Sequence, residues 1–476
     1  MNWLLIKNTA LVAGGTTVLS VTFGTIAALF LRSVTGKTRQ LVVTLAILAL
    51  ALPPFLVTNC WLHYLGAGGA WRSWLPFNIF SLGGTVWILA LLTWPITVLW
   101  CGSALRNLDA PLLESDAALS GWGLISKLVV PMLRGSIGQA AIVTFVLAAN
   151  NFSVPAILQV KVLPAETWLR FNTALDSEGS LFMSLPLVVL AVLLIATMVI
   201  RSGEWRRTAP ADDGAVFRRQ LGNAWFWSCG LVTVCLYIAS VGIPLFQLAS
   251  LKRTWTEMPS AIEAARTAIG NSLVLSAIAA TTVIAIGVLS TIKQLGAQRG
   301  FSWTAGQALW LPFLVPGVLI GIGLIAVFNR PVLSAFYQSS GVVLLAFAIR
   351  YLAIGWNAAA QAFRAVDCEL NDAGRLEGAS TGQLFRFVHL PQIGPQLAAA
   401  WYVVFLLCLW DVESIILVLP PGGQTLATTI FNLLHYGYNA QVNALCVVLL
   451  IVALVPLFVW KTWTNATRTL QRFRVT

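Results

Sequence analysis

Eleven mostly apolar stretches, each about twenty residues or longer, constrain this chain first, because a stretch of that length and character crosses a bilayer as a helix. They fall near 9–32, 40–65, 79–101, 137–160, 181–201, 223–251, 268–292, 303–328, 338–362, 396–419 and 438–460. Only 10% of the 476 residues are charged and 58% are hydrophobic, whereas soluble domains carry about 25% charged residues. The sequence therefore predicts an all-α polytopic membrane protein with little soluble mass. Pro53-Pro54, Pro95, Pro155, Pro312 and Pro316 interrupt spans, which a packed bundle tolerates because neighbouring helices satisfy the freed main-chain groups.

The net charge of +12 does not point to nucleic acid, since the basic residues sit in loops beside spans. One set of alternate loops holds Arg32, Lys37, Arg39, Arg106, Lys127, Arg134, Arg201, Arg206, Arg207, Arg218, Arg219, Lys293, Arg299, Arg364, Arg375, Arg386, Lys461, Arg468, Arg472 and Arg474. That is twenty of the 29 Lys and Arg. The positive-inside rule makes this side cytoplasmic. An odd number of spans then places the N-terminus outside and the C-terminus inside. No cleavable leader is expected, because Met1–Asn8 is short and the next span is long enough to cross. The seven cysteines form no CxxC pair and lie mostly within spans, so they read as structural thiols.

A long repeat underlies the spans. Asn8-Thr9 recurs as Asn271-Ser272, 263 positions later, and Pro131 recurs as Pro391, 260 later. Pro53-Pro54-Phe55-Leu56-Val57 resembles Pro312-Phe313-Leu314-Val315, and Thr167-Trp168-Leu169 resembles Thr425-Leu426-Ala427. Both copies begin on the same side, so the repeat is parallel. It predicts an N-terminal half over 1–201, a linker and connecting helix over 202–267, and a C-terminal half over 268–476.

Residues 363–395 form a long polar run in a chain where such runs are scarce. A short charged helix over Asp372–Glu377 is expected to break at Gly378, which tolerates backbone angles that other residues avoid. An amphipathic turn with Leu384, Phe385 and Val388 follows, and Pro391 is expected to stop it. The pattern Asp372-Ala373-Gly374, Gly378-Ala379, Phe385 and Leu390-Pro391 resembles the coupling loop of permeases of binding-protein-dependent ABC importers. It departs from that family in having Asp for Glu and Gly374 for a second Ala. The two-half layout resembles the fused permeases of ferric-iron and thiamine importers, which usually carry one more N-terminal helix.

A shorter copy lies in residues 102–136, with Asp116-Ala117-Ala118, Gly121 and Val130-Pro131 at the matching positions. Asp116 to Pro131 spans 15 residues against 19 from Asp372 to Pro391. The difference of about one helical turn leaves either a shortened docking helix or a weaker arm.

No GxxxxGK[ST] loop occurs, so this chain does not bind ATP in that way. There is no Ser-His-Asp, HExxH or acidic metal pattern, and no cofactor is expected. Ionisable groups at membrane depth are costly and face cavities or partners. Trp410-Asp411-Val412-Glu413 interrupts the tenth span, and Asn150-Asn151 holds the matching place in the fourth. Asp411, Glu413, Asn150 and Asn151 either line a passage for a cationic solute or lock helices together, with Arg350 as counter-ion. The outer loops carry Glu166, Asp176 and Glu178; the resemblance implies that this face receives a soluble binding protein, the alternative being solvated loops with no partner.

The resemblance implies a transport subunit, not an enzyme, in a bacterial inner membrane. It implies two copies of an ATPase subunit and an extracytoplasmic substrate-binding protein as partners, besides membrane lipid, and no nucleic acid. Cargo is expected to be small and cationic: ferric iron first, then thiamine or a polyamine. Two other classes stay open, an ion-coupled secondary transporter working through Asp411 and Glu413, and a membrane scaffold.

Overall fold

The computed structural model describes residues 3–75, 77–106, 108, 120–200, 214–296, 306, 308–366 and 368–475. Every regular element among them is helical. In chain order the main helices are α1 (Trp3–Ser33), α2 (Gly36–Ala51), α3 (Pro54–Leu65), α4 (Leu82–Leu105), α5 (Trp122–Asn150), α6 (Leu163–Ala174), α7 (Ser177–Ile200), α8 (Gly214–Leu221) and α9 (Asn223–Ser250). They continue as α10 (Lys252–Ala264), α11 (Arg266–Gly296), α12 (Gly317–Phe328), α13 (Gly341–Arg364), α14 (Cys368–Leu376), α15 (Gly382–Trp410), α16 (Leu426–His435) and α17 (Asn439–Val475).

Nine helices among the described residues are long and apolar enough to cross a membrane, and eleven spans result if each of two bent pairs counts once. The bent pairs fall in two of the spans expected to be interrupted by proline, at Pro53-Pro54 and near Pro316. The span expected at 40–65 is α2 and α3, turned by 86° at Leu52-Pro53. Leu52 is extended at φ −72, ψ 135, as a residue before proline prefers, and Pro54 then opens α3. Around 303–328 the helix α12 starts only after Pro316 and bends by 106° into Pro331–Tyr337; residues 303–305 and 307 lie outside the described set. The spans expected at 137–160 and 396–419 are shifted too. Helices α5 and α15 begin at 122 and 382, inside the polar loops, and end at Asn150 and Trp410.

The chain divides into two units, Met1–Thr256 with Leu434–Asn443, and Glu257–Leu433 with Ala444–Thr476. In the first, α1 packs against α4, α5 and α9; in the second, α11 packs against α13 and α15. Helices in lipid gain little from apolar contact alone and associate where small residues let backbones approach. Gly24 of α1 meets α4 this way: an added Cβ would overlap Thr97 and come within 2.7 Å of the Trp94 carbonyl. Gly287, 263 positions on, is the matching contact of α11, where a Cβ would lie 2.6 Å from the Gly355 carbonyl.

Repeated hydrogen bonds show the duplication directly. Leu163 donates its main-chain N–H to Thr9 Oγ1 at 2.9 Å, and Leu426 donates to Ser272 Oγ at 2.6 Å. Asn8 Nδ2 donates to the Lys161 carbonyl at 2.9 Å, and Asn271 Nδ2 to the Gln424 carbonyl at 3.0 Å. All four offsets are 263. The same offset sets Pro53 against Pro316 and Leu163 against Leu426, which corrects the register expected for those two segments.

Arg32, counted above among the loop cations, is buried. Its Nε donates to the Leu105 carbonyl at 3.0 Å and its Nη2 to the Leu108 carbonyl at 2.9 Å. The guanidinium thus bonds the last carbonyl of α4 and one three residues beyond it, where a helix end leaves acceptors short of partners.

Candidate functional site

The 363–395 loop is built from two consecutive caps. Helix α14 ends in a left-handed glycine: Gly378 has φ +78, its N–H bonds the Arg375 carbonyl at 3.0 Å, and the Ala379 N–H bonds the Gly374 carbonyl at 3.0 Å. This pair of bonds is the glycine-dependent way to close a helix C-terminus. The next helix opens at once with a reciprocal cap: Ser380 N–H donates to Gln383 Oε1 at 2.8 Å, and Gln383 N–H donates to Ser380 Oγ at 3.4 Å. The loop is therefore a compact helix–turn–helix, as its sequence suggests.

Pro391 does not end the second helix. Residues Phe385–His389 form a π-helical turn, with Leu390 N–H reaching back to the Phe385 carbonyl, and the helix runs on through Pro391 as the rest of α15. The wider turn shifts the bonding pattern so that the missing proline N–H falls in the first turn of the continuing α-segment, where it breaks no helical bond.

The loop has an inner and an outer face. Leu384 is buried, and the Phe385 ring stacks on Phe363 with centroids 6.4 Å apart. Gly374 faces inward: a Cβ there would lie 2.6 Å from Leu384 Cδ2, so this small residue serves internal packing. Asp372, Ala373 and Gly378 are exposed, as are Leu390 and Pro391, while Ala379 is half-buried. Leu376 and Phe387 stand out at 90% and 70% exposed. Neither belongs to the small-residue pattern of the loop; their signal in the sequence is a large apolar side chain within a charged segment.

In the first copy Asp116, Ala117 and Ala118 lie outside the described residues. Gly121 has φ +55 and caps the start of α5 directly. Its N–H bonds the Gln220 carbonyl at 3.0 Å, and Trp122 stacks on Trp225 at 5.6 Å. Residues Ile125–Val129 form a π-turn, 260 positions before the second one, with Pro131 just beyond it. Leu124, Ile125 and Val129 are buried with Phe217 and Leu221 of α8. The start of α5 therefore rests on α8.

Polar residues close the ends of α5 and α15. Asn151 Oδ1 accepts the Val154 N–H at 3.0 Å, and Asp411 Oδ1 accepts the Ser414 N–H at 3.1 Å. These matching turns, 260 positions apart, end both helices inside the expected spans; the interruption expected at Trp410-Asp411-Val412-Glu413 is a helix end. Asn150 is buried. Asp411 Oδ2 accepts the Tyr351 hydroxyl at 2.9 Å. Arg350, midway along α13, donates Nη2 to Glu413 Oε2 and Nη1 to Ser414 Oγ, both at 3.1 Å, with Nε 3.8 Å from Asp411 Oδ2. Gly317 opens α12 beside this network, and a Cβ there would overlap Arg350 Nη1. Asp411 and Glu413 are thus joined to a counter-ion and not left bare. Among the described residues, no group of three His, Cys, Asp or Glu side chains is placed to hold a metal ion.

On the repeat's other end, Asp176 caps α7. Its Oδ1 accepts the Gly179 N–H at 2.8 Å, and its Oδ2 takes two bonds from Arg170, at 3.0 and 2.6 Å. The Gly179 N–H and then Arg170 hold its carboxyl below the usual aspartate value.

The described residues thus combine a duplicated set of helices long and apolar enough to cross a membrane with a capped loop that exposes apolar side chains. The chain is 22% identical over 475 residues to an Fe(3+)-transport system permease protein of Haemophilus influenzae, covering 96% of this chain and 89% of that relative. It is 21% identical over 508 residues to a ferric transport system permease protein of Actinobacillus pleuropneumoniae, covering 96% of this chain and 71% of the relative. A putrescine transport system permease protein of Escherichia coli is 26% identical over 221 residues, 44% of this chain and 76% of its own length. No protein-family model matches the chain. The full-length likenesses fit the fused permease subunit of an ABC importer, a multi-pass membrane protein that is a transport subunit and not an enzyme.

Proposed function

We propose that this chain carries a small solute inward by alternating access, with ATP hydrolysed on two copies of a separate subunit and the solute delivered by an extracytoplasmic binding protein. Ferric iron is the first choice of cargo, then thiamine or a polyamine. The observation that carries this reading is the likeness to iron permeases along 96% of the chain. The outer face of the 363–395 loop is the docking surface, where Asp372, Ala373, Leu376 and Phe387 meet the ATPase. Gly374, Gly378, Ala379, Phe385, Leu390 and Pro391 set its shape. The first loop, with Asp116, Ala117, Ala118, Gly121 and Pro131, docks the second ATPase copy on a shorter arm. The basic loops face the cytoplasm, with the N-terminus outside and the C-terminus inside.

Co-purification from native membranes tests the coupling. An ATP-binding subunit that comes down with wild type and is lost with Gly378→Asp supports the importer. No ATPase with either form overturns it.

The Arg350 network favours one second reading. Two carboxylates face one guanidinium, which leaves room for a proton or cation at Asp411 or Glu413 as in an ion-coupled carrier; Asn150 and Asn151 hold the matching place in the N-terminal half. In that case Asp411→Asn abolishes uptake driven by an ion gradient without any ATPase. In the importer it changes cargo handling at most.

A further inference from the structure

A cavity of about 620 Å³ in the first unit opens where α1 gives way to α2 and where α8 and α9 pack against them. Its apolar wall is Phe30, Phe226, Trp227, Leu231 and Val234, and its polar end is Thr35, Thr38 and Arg218. We propose that this groove holds an anionic phospholipid, its phosphate at Arg218 and one acyl chain along α9. This goes beyond the transport reading and stands without it, needing only that the chain lies in a membrane.

The polar end is suited to an anion. The Arg218 guanidinium is exposed, with its Cζ held 4.0 Å from the centroid of the Phe226 ring. A cation so placed keeps its N–H groups available while its position is fixed. The hydroxyl-bearing Thr35 and Thr38 are exposed beside it, and Thr35 makes no side-chain cap to α2, so the first main-chain N–H groups of that helix add positive potential there. Among the described residues, no carboxylate lines the cavity.

The apolar end continues in the right direction for a lipid chain. Trp227, Leu231, Val234 and Ile238 follow each other by four, three and four positions, which puts them on one face of α9. They are 68%, 66%, 50% and 51% exposed. Gly230 lies between them against the Phe30 ring, where a Cβ would come within 3.0 Å. The groove thus leads from a fixed cation at the end of a span onto a bare apolar stripe along it. A headgroup phosphate joined to acyl chains has that order of charge and hydrocarbon, and a basic residue near an anionic leaflet attracts it.

The test is native mass spectrometry of the full chain in detergent, supplied with phosphatidylglycerol, with phosphatidylcholine of the same acyl chains, or with inorganic phosphate. Wild type is expected to retain phosphatidylglycerol about fivefold better than phosphatidylcholine, the advantage of one basic contact. Arg218→Gln removes that preference, and Trp227→Ala weakens retention of both lipids. Unchanged helical circular dichroism shows that both variants are folded; if either is not, Arg218→Lys, which keeps the charge and is expected to keep most of the preference, decides the matter. Equal retention of the two lipids by wild type overturns the proposal, as does an unchanged preference in Arg218→Gln. A phosphate adduct without lipid, or a dimer that Trp227→Ala dissolves while no lipid is bound, also overturns it.

Discussion

The Arg350 guanidinium stands 3.1 Å from the Glu413 carboxylate, which ties the middle of α13 to the segment after α15. Removing one partner of a buried ion pair leaves the other charge uncompensated and costs about 3–5 kcal/mol. Arg350→Met is therefore expected to lower the thermal unfolding temperature in detergent clearly. Adding Asp411→Asn and Glu413→Gln should restore most of it. An Arg350→Met protein that unfolds with wild type would show that the pair does not hold these helices.

Leu376 and Phe387 point outward from the loop, and their burial against a partner is the simplest use of such exposed side chains. Leu376→Asp or Phe387→Asp is expected to leave the amount of protein in membranes unchanged and to reduce recovery of a co-purifying ATPase at least about tenfold, the effect of losing about 1.4 kcal/mol. Leu384→Asp, on the inner face, should instead reduce the amount of folded protein itself.

At Gly378 the backbone occupies the left-handed region, which costs an ordinary residue about 1–2 kcal/mol. Nothing lies near the added Cβ, so Gly378→Ala strains the turn without a clash. Hydrogen exchange should speed up at Gly378 and Ala379, whose N–H groups make the capping bonds, and stay unchanged in α13. Equal protection in both proteins would count against the turn as drawn.

Ser272 Oγ accepts the Leu426 N–H in a buried setting. Leaving a buried donor without its acceptor costs about 1–3 kcal/mol. Ser272→Ala and the matching Thr9→Val should each destabilise by that amount, as read from chemical denaturation of the purified protein. Asn271 and Asn8 substitutions should follow the same pairing.

Asp176 gives the pH dependence. Its carboxyl is held below the ordinary value by the Gly179 N–H and by Arg170. A depressed folded-state value means that the contribution is present above the unfolded value, roughly 3.9, and is lost as pH falls through the lower, folded one. Protection of the Gly179 amide should therefore hold from neutral pH down to about 4 and decline below it. In Asp176→Ala it should be low at every pH.

The helical membrane fold was legible because apolar length is a direct consequence of bilayer thickness, and the repeat because Asn8-Thr9 and Asn271-Ser272 survived in place. The bends were less so. Pro53-Pro54 signals an interruption, but whether a helix kinks or turns by 86° depends on what its two parts pack against. The π-turns before Pro131 and Pro391 have no signature in residue type; they follow from fitting a proline into a helix that continues. Arg32 reads as a loop cation because only the fold brings the Leu105 and Leu108 carbonyls to it. Gly374 likewise reads as an outward small residue until Leu384 is seen folded beneath it.

Because α8 and α9 pack with α1, α2 and the start of α5, the main stretch of the first unit runs to Thr256, past residue 201 where the N-terminal half was expected to end. A polypeptide severed within 201–213 would take a structural wall away from the N-terminal fragment, whereas severing it between Thr256 and Glu257 would leave each fragment most of its own interior. Two-gene expression is thus expected to yield stable N-terminal product only with the later break, and immunoblotting of membranes carrying that fragment alone would reveal the difference. Stable product from the later break alone would make the boundary of the expected repeat and the boundary of mechanical integrity two separate places along the chain.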